Sequence, residues 1–408
     1  MTYPDSVKYL YSLGNEVQTA KLGLDRITRL LEAIGSPHRA GRFVHVAGTN
    51  GKGSTCAMIE SGLRAAGIRT GLYTSPHLKE PAERIQIAGH PVSEAQFAEA
   101  FVEVHALAER MLRSGEIDLH PTYFETVTAM AFLLFARARV GAVVLEVGLG
   151  GRLDATNVVT PTLSVITPID LDHQVFLGDT LEKIAAEKAG ILKPGVPAIF
   201  AEQHPEAEAV LRAHAQAPYT LTREWPITEL QIDARGSKFR LRDQEIVCPL
   251  AGQHQVENAR CAAIALSHLN VSPAGIAQTV WPGRLELVSR HPEMILDGAH
   301  NPAGARALAD YIRGFYADRK IWIVYGVMRD KAVDEMTALL FPLAERVILT
   351  APNNSRALPP QEIHTPGATI AASVSQALAL LRDAPPETAI FITGSLFVVG
   401  EARALLVQ

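Results

Sequence analysis

The segment Gly48-Thr49-Asn50-Gly51-Lys52-Gly53-Ser54 lies between an apolar run, residues 43–47, and a stretch whose apolar residues have helical spacing. That is the order in which a phosphate-holding loop is built. Glycines let backbone N–H groups turn toward an anion, the following helix presents its positive end, and Lys52 adds a mobile cation. ATP is the ligand this chemistry suits. The spacing departs from the G-x-x-x-x-G-K-[ST] pattern, because Val46 stands where its first glycine would be and Gly53 separates Lys52 from Ser54. The residues alone also allow a plain glycine-rich turn.

Further chemistry sits at the ends of other apolar runs. Ala142-Val143-Val144-Leu145-Glu146 delivers an acid beside Gly148-Leu149-Gly150-Gly151, and Glu146 is a hard oxygen ligand suited to the Mg²⁺ that accompanies ATP. Leu163-Ser164-Val165-Ile166-Thr167 leads into Asp170-Leu171-Asp172-His173, which reaches the same sheet edge if the strands are neighbours. His173 reads either as a ligand to a second ion or as a hydrogen-bonded structural residue. Lys188, taken alone, reads as a solvated helical lysine. Asp297-Gly298-Ala299-His300-Asn301-Pro302 follows a strand and precedes a helix, so Asp297 can accept from a ribose or simply form a turn. Arg284 can neutralise phosphate charge or lie on the surface, and Asn258 can read adenine through its amide or face water.

A scaffold must carry these groups to one place. After residue 40, short β-branched runs alternate with longer helical ones, which predicts an α/β fold. Strands are predicted near 42–47, 69–74, 141–147, 162–167 and 196–200, with helices over 53–67, 93–113, 122–139, 179–190, 205–216 and 255–269. Residues 218–250 read as antiparallel strands, and a second unit has strands near 293–297, 321–326, 345–350 and 388–393. The 408 residues exceed what one core serves, and Trp281-Pro282-Gly283 breaks the pattern. The expected architecture is a P-loop-type parallel-sheet ATP-binding domain over 1–282 and a smaller Rossmann-like domain over 283–408, with a cleft between. Composition is that of a globular protein, 48% hydrophobic and 20% charged with net charge -5. No basic block suggests nucleic acid, and no apolar run suffices for a membrane span, so a cytoplasmic location is expected. Cys56, Cys248 and Cys261 are isolated and read as buried thiols.

Read together, the loop at 48–55, Tyr73-Thr74-Ser75-Pro76-His77-Leu78, the run from Leu145 through Arg152-Leu153-Asp154-Ala155-Thr156-Asn157, Leu171-Asp172-His173, Glu187-Lys188-Ala189-Gly190-Ile191 and Asp297–Pro302 resemble the dihydrofolate synthase/folylpolyglutamate synthase family of the Mur ligase superfamily. Thr393-Gly394-Ser395 through Glu401 is similar to the closing strand and helix of that family. The resemblance implies that Thr49, Asn50, Gly51, Lys52, Gly53 and Ser54 hold ATP phosphates, and that Ser75, Glu146 and His173 coordinate Mg²⁺, as two ions. It implies a carbamylated Lys188, for which the pocket must favour the neutral amine, and ATP contacts from Asn258, Arg284 and Asp297. Leu22, Gly23, Leu24 and Asp25, Thr122, Tyr123, Phe124 and Glu125, and Leu153, Asp154 and Ala155 are similar to dihydropteroate-binding segments. Phe124 would stack on the pterin, or is a core aromatic.

The implied reaction is γ-phosphoryl transfer from ATP to the dihydropteroate carboxylate, then attack of the L-glutamate amine, with Lys52, Lys188, His173 and, as a base near the amine, His300 as the catalytic set. A reduced folate presenting its γ-carboxylate would use the same machinery. The implied enzyme acts on small molecules as a monomer. Rival readings are folylpolyglutamate synthesis alone, a cell-wall peptide ligase, which should carry a further amino-terminal domain, and an ATP switch that makes no bond and has no use for Lys188.

Overall fold

The computed structural model describes residues 1–13, 23–39 and 41–407. Along the chain the first lobe comprises α1 (Tyr3–Ser12), α2 (Asp25–Ala33), β1 (Phe43–Ala47), α3 (Lys52–Ala65), β2 (Thr70–Tyr73), β3 (Ile85–Ile87), β4 (His90–Pro91), α4 (Glu94–Ser114) and α5 (Tyr123–Ala138). It continues through β5 (Ala142–Glu146), β6 (Leu163–Ile166), α6 (Gln174–Leu177), α7 (Leu181–Ala189), β7 (Ala198–Phe200), α8 (Pro205–His214) and β8 (Tyr219–Leu221). Then follow β9 (Ile227–Asp233), β10 (Gly236–Leu241), β11 (Gln244–Cys248) and α9 (Gln253–His268).

Among the described residues the main sheet has the order β4-β3-β2-β5-β1-β6-β7-β8, parallel throughout except at one edge, where β2 pairs with β3 and β3 with β4 antiparallel. β1 and β5 are buried along their whole length, as a strand covered on both faces must be. Their side chains alternate between two cores. Phe43, Val143 and Leu145 enter one with α1, α2, α4 and α5, while Val44, Val46 and Val144 enter another with α3, α9 and the small sheet. The helices start where local chemistry directs them. Ser93 with Gln96 and Thr122 with Glu125 form reciprocal caps at the heads of α4 and α5, each cap contributing about 1 kcal/mol.

The prediction for 218–250 needs dividing. Tyr219–Leu221 adds a parallel strand to the main sheet, and only β9–β11 form the antiparallel ribbon. There Phe239 and Leu241 turn into the core while Lys238 is exposed, which accounts for the alternation. Cys56, Cys248 and Cys261 are free and buried, as expected.

The second sheet begins with β12 (Glu286–Arg290) and β13 (Glu293–Leu296), followed by α10 (Pro302–Phe315), β14 (Ile321–Tyr325), α11 (Val333–Leu340), β15 (Arg346–Leu349), β16 (Thr369–Ile370), α12 (Val374–Ala379), β17 (Ala389–Thr393) and α13 (Leu396–Leu406). Its order is β12-β13-β17-β14-β15-β16, with β12 antiparallel and the rest parallel. Among the described residues no helix is long and apolar enough to cross a membrane.

Candidate functional site

In the main sheet β2, β5, β1 and β6 are parallel neighbours, so their carboxyl ends open on one edge. That adjacency, which the sequence left conditional, gathers the groups at Ser75, Glu146, the 48–54 loop and 170–173. The loop is fastened from beneath: Thr49 and Asn50 donate N–H to the Pro168 carbonyl at 2.9 and 3.3 Å, and Thr49 Oγ1 donates to the Asp170 carbonyl at 2.9 Å. Gly51 caps α3 at φ +86°, and a Cβ there would stand 2.2 Å from Asn258 Oδ1. At Gly48, φ +150°, a Cβ would stand 1.8 Å from Thr167 Oγ1. Both positions therefore require glycine for conformation and for space. Asn258 is buried rather than solvent-facing; its amide donates to Gln255 Oε1, and Gln255 Nε2 donates to Ser54 Oγ.

Two lysines converge on this loop. Lys52 Nζ donates to the Gly48 and Thr49 carbonyls at 3.2 and 3.0 Å, and Lys188 Nζ, buried on α7, donates to the same Gly48 carbonyl at 2.7 Å. Burial first, and the Lys52 charge second, bring the Lys188 pKa down to about 7, against weaker opposing pulls from Asp172 and Asp154. Lys188 is therefore not a solvated surface lysine. Glu146 is buried and accepts one hydrogen bond from the Ser75 N–H at 3.0 Å. Burial pushes its carboxyl upward, while Lys52, the Ser75 N–H, Arg284 and Arg84 hold it down.

The second lobe supplies the opposite wall. Asp297 is buried at the end of β13 and accepts from Leu285 N–H and Ala299 N–H, each at 3.0 Å; burial raises its pKa while Arg284 opposes. Arg284 donates to the Gly298 carbonyl at 3.3 Å. Asn301 crosses between lobes, donating to Asn50 Oδ1 and to Asp172 Oδ2 at 3.0 Å each. Lys331 Nζ reaches Asp172 Oδ1 at 2.8 Å, with both side chains about nine-tenths buried. Burial would raise Asp172, but His173, Lys331 and His300 outweigh it and hold the carboxyl well below the usual range. His173 and His300 are both lowered to about 4, chiefly by burial, so both are neutral at physiological pH. Residues 49–54, Ser75, Glu146, His173, Lys188, Asn258, Arg284, Asp297 and His300 all line one cleft of about 550 Å³ between the lobes.

The model of the Mur ligase middle domain matches residues 46–266, and that of the Mur ligase glutamate ligase domain matches 283–396. The folylpolyglutamate synthase of Lacticaseibacillus casei is 34% identical over 430 residues, covering 100% of this chain and 99% of that protein. The dihydrofolate synthase/folylpolyglutamate synthase of Bacillus subtilis is 39% identical over 349 residues, 80% of each. The chain belongs to the dihydrofolate synthase/folylpolyglutamate synthase family. The solved structure of E. coli FolC in complex with DHPP and ADP superposes with a TM-score of 0.89 at 32% identity, covering 99% of this chain and 97% of that one.

Within this dihydrofolate synthase/folylpolyglutamate synthase scaffold, the segments singled out for the pterin do not line the cleft. Leu22 lies outside the described residues, while Gly23 precedes α2, Leu24 caps it and Asp25 opens it. Glu125 Oε2 takes the Thr122 N–H at 2.7 Å and the Arg26 guanidinium at 2.7 Å, so this carboxylate is committed to capping and pairing. Asp154, at the turn with Leu153 and Ala155, accepts from Gly148 and Leu149 N–H at 2.9 Å each and from Thr156, which shapes the glycine-rich turn after Glu146. Phe124 is buried against Tyr73, its ring filling the space beside Gly148, and Tyr123 stacks on Tyr11 with Arg84 over its face. These contacts make Phe124 a core aromatic in this conformation and place Asp154 and Glu125 in supporting positions. Sequence reasoning missed Arg26, Asn301 as a bridge, and Lys331. Lys331 stands in a loop with no motif around it, and nothing local marks it.

Proposed function

We propose that this chain uses ATP to join L-glutamate to 7,8-dihydropteroate, forming dihydrofolate, and to the γ-carboxylate of reduced folates. The observation that carries the reading is the convergence, in one interlobe cleft, of the anion-ready loop, a buried carboxylate and a lysine whose ammonium form is disfavoured. The names of the relatives supply the substrate class.

Backbone N–H groups of 51–54 would take the phosphates, with the Thr49 and Asn50 N–H groups holding the loop on Pro168 and Lys52 released from the loop carbonyls onto phosphate oxygen. Arg284 would neutralise charge from the facing lobe, and Asn258 and Asp297 would hold the nucleoside. Ser75, Glu146 and His173 fit Mg²⁺ held partly through water: Glu146 brings a carboxylate whose burial calls for a cation, and His173 is a neutral imidazole. Two such ions, when bound, would screen the phosphate oxygens and offset developing charge. The lowered pKa of Lys188 favours the neutral amine, the form that takes up CO₂, and the resulting carbamate would exchange a lysine–lysine repulsion for an attraction to Lys52.

The acceptor carboxylate oxygen forms a bond to the γ-phosphorus as ADP leaves; the nitrogen of glutamate, as the free amine, then forms a bond to the acyl carbon as phosphate leaves carrying the amine's proton. Lys52 stabilises the oxyanion of that second step. His300, lowered to about 4, is too weak a base to deprotonate the amine efficiently; its Nδ1 donates to the Gly298 carbonyl at 2.8 Å, and we give its Nε2 lone pair the task of accepting from the incoming glutamate amine instead. Closure of residues 283–408 over 1–282 would keep water from the acyl phosphate. The cleft draws every one of these residues from one chain, which supports a monomer, and we expect it to act in the cytoplasm.

ADP release with L-glutamate plus dihydropteroate, a tetrahydrofolate or a UDP-sugar peptide tests this. Turnover with the first two is expected. Turnover with the tetrahydrofolate alone would reduce the function to folylpolyglutamate synthesis, and turnover with the peptide alone would overturn it. ATP hydrolysis indifferent to every acceptor would favour the switch.

A further inference from the structure

Outside the cleft, metal-ligating side chains meet where α4 approaches the segment leading into α5. His105 and Glu109 are four residues apart on α4 and share a face, and His120 arrives from the connecting loop. One ligating atom from each lies within 4.8 Å of the other two, and His120 Nε2 stands 3.6 Å from Glu109 Oε1. His120 Nδ1 lies 2.8 Å from the Pro121 carbonyl. A carbonyl only accepts, so Nδ1 carries a proton and Nε2 is the nitrogen left to face the cluster, the arrangement in which protein imidazoles bind metals. His120 Nε2 and His105 Nδ1 are both shielded from solvent and have no hydrogen-bond partner among the described residues. Two unsatisfied buried polar atoms on rings whose centroids lie 5.8 Å apart are costly unless something fills their valence.

The surroundings hold the ligands in place. The His105 ring stacks on Phe101 at 5.4 Å and lies 4.4 Å from the Tyr9 ring. The Tyr9 phenol lies close enough to the Glu109 carboxylate for its charge to add to burial in raising the phenol's pKa.

We propose that His105, Glu109 and His120 form a binding site for one divalent transition-metal ion of the zinc class. Two imidazoles and one carboxylate suit Zn²⁺, Co²⁺ or Ni²⁺ and suit Mg²⁺ poorly, so the site is chemically separate from the proposed Mg²⁺ set in the cleft. Ligands in a tetrahedral zinc site lie about 3.3 Å apart, so the cluster closes by side-chain rotations of roughly 1 Å, with water as the fourth ligand. The ion ties α4 to the lead into α5 and, through Tyr9, reaches α1.

The test titrates the chelator-stripped full chain with ZnCl₂ in Mg²⁺-free, nucleotide-free buffer by calorimetry. One zinc is expected to bind at micromolar or tighter affinity in the unaltered chain and in Glu146→Gln/His173→Gln, which removes the cleft ligands. Affinity should fall at least ~30-fold in His105→Gln and in His120→Gln, while each keeps its zinc-free ligation rate. CoCl₂ should give visible d–d absorption that His120→Gln abolishes. Zinc binding unchanged in both histidine variants, binding lost instead in the cleft variant, or no binding below millimolar would overturn the proposal. Should a histidine variant fail to fold, the unaltered chain decides: without tetrahedral cobalt bands and without a zinc-dependent rise in its thermal midpoint, the site does not exist.

Discussion

Replacing Lys331 with Met keeps most of the side chain's apolar stem and removes one charge from the bridge between lobes. The Lys331–Asp172 pair is 2.8 Å long and about nine-tenths buried on both sides. At an effective dielectric near 20 its gross attraction is about 6 kcal/mol, most of it offset by desolvation. Removing one member of such a pair typically costs about 3–5 kcal/mol. Asn301 still donates to Asp172 Oδ2 at 3.0 Å, so the expected loss for Lys331→Met is ~2–3 kcal/mol in urea denaturation at pH 7. The charge also acts on its neighbours: Lys331 lowers both His173 and His300 below their ordinary values. Its removal should raise both histidine pKa values above about 4, read from imidazole proton shifts, whereas Asp172→Asn should lower them further. The acid dependence has a fixed sign. Asp172 is depressed in the native state, so its stabilisation is complete above the unfolded carboxyl pKa of ~3.9 and is lost as pH falls through its native value. Lys331→Met should flatten that acid limb. A coupling of at least ~1.5 kcal/mol is expected in the cycle with Asp172→Asn. Additive effects, or unmoved histidine titrations, would refute the interlobe role.

Three other expectations concern the cleft. Glu146→Gln should cut ATP-dependent ADP release at least ~100-fold, yet raise the thermal midpoint at neutral pH, because burial raises the native Glu146 pKa and its charge costs stability above the unfolded carboxyl range. Lys188→Met should abolish turnover with ATP binding retained, and should stabilise the fold by ~2–4 kcal/mol below pH 7. The sign follows because the native lysine, at about 7, holds its proton less tightly than the unfolded one at ~10.4, so the penalty is complete below pH 7 and fades as pH rises toward 10; a ¹³C-bicarbonate NMR signal lost in the variant would confirm the carbamate. Gly51→Ala should weaken ATP binding at least ~10-fold by isothermal titration, since its Cβ would meet Asn258 Oδ1 at 2.2 Å on a backbone at φ +86°.

Much of the sheet was legible because each parallel strand is short, apolar and followed by its own punctuation. Val143-Val144-Leu145 ending in Glu146, or Ile295-Leu296 ending in Asp297, states both a strand and the edge where its acid emerges. Strand order was not legible, since it depends on which apolar faces meet across some 100 residues between β1 and β5. Tyr219–Leu221 illustrates the limit: three residues of strand pattern fit an antiparallel ribbon equally well, and only the neighbouring β7 edge selects the parallel partner. Within the site, residues named by motif were found on the cleft, while those defined by distant partners were not anticipated. Lys331 and Arg26 acquire meaning only from Asp172 and Glu125. Conversely, acids in promising segments, Asp154 and Glu125, turn out to be satisfied by backbone N–H groups, information carried by the turn geometry and not by the residue types.

The ionisable groups of the cleft explain why it is made from two lobes. Burial disfavours the charged form of nearly every one of them: Glu146 and Asp297 are raised, His173, His300 and Lys188 are lowered. Each is held by partial compensation from a neighbour of opposite sign, and several of those neighbours belong to the other lobe, as with Arg284 for Glu146 and Lys331 for Asp172. A single lobe would therefore carry uncompensated charges. Two lysines facing one carbonyl at Gly48 leave positive charge that a polyphosphate relieves, and the acids leave negative charge that a cation relieves. A ligand bringing both signs at once, as a metal-bound nucleotide does, would satisfy the set, and the same low dielectric that disfavours each of these charges alone would make each of those contacts strong.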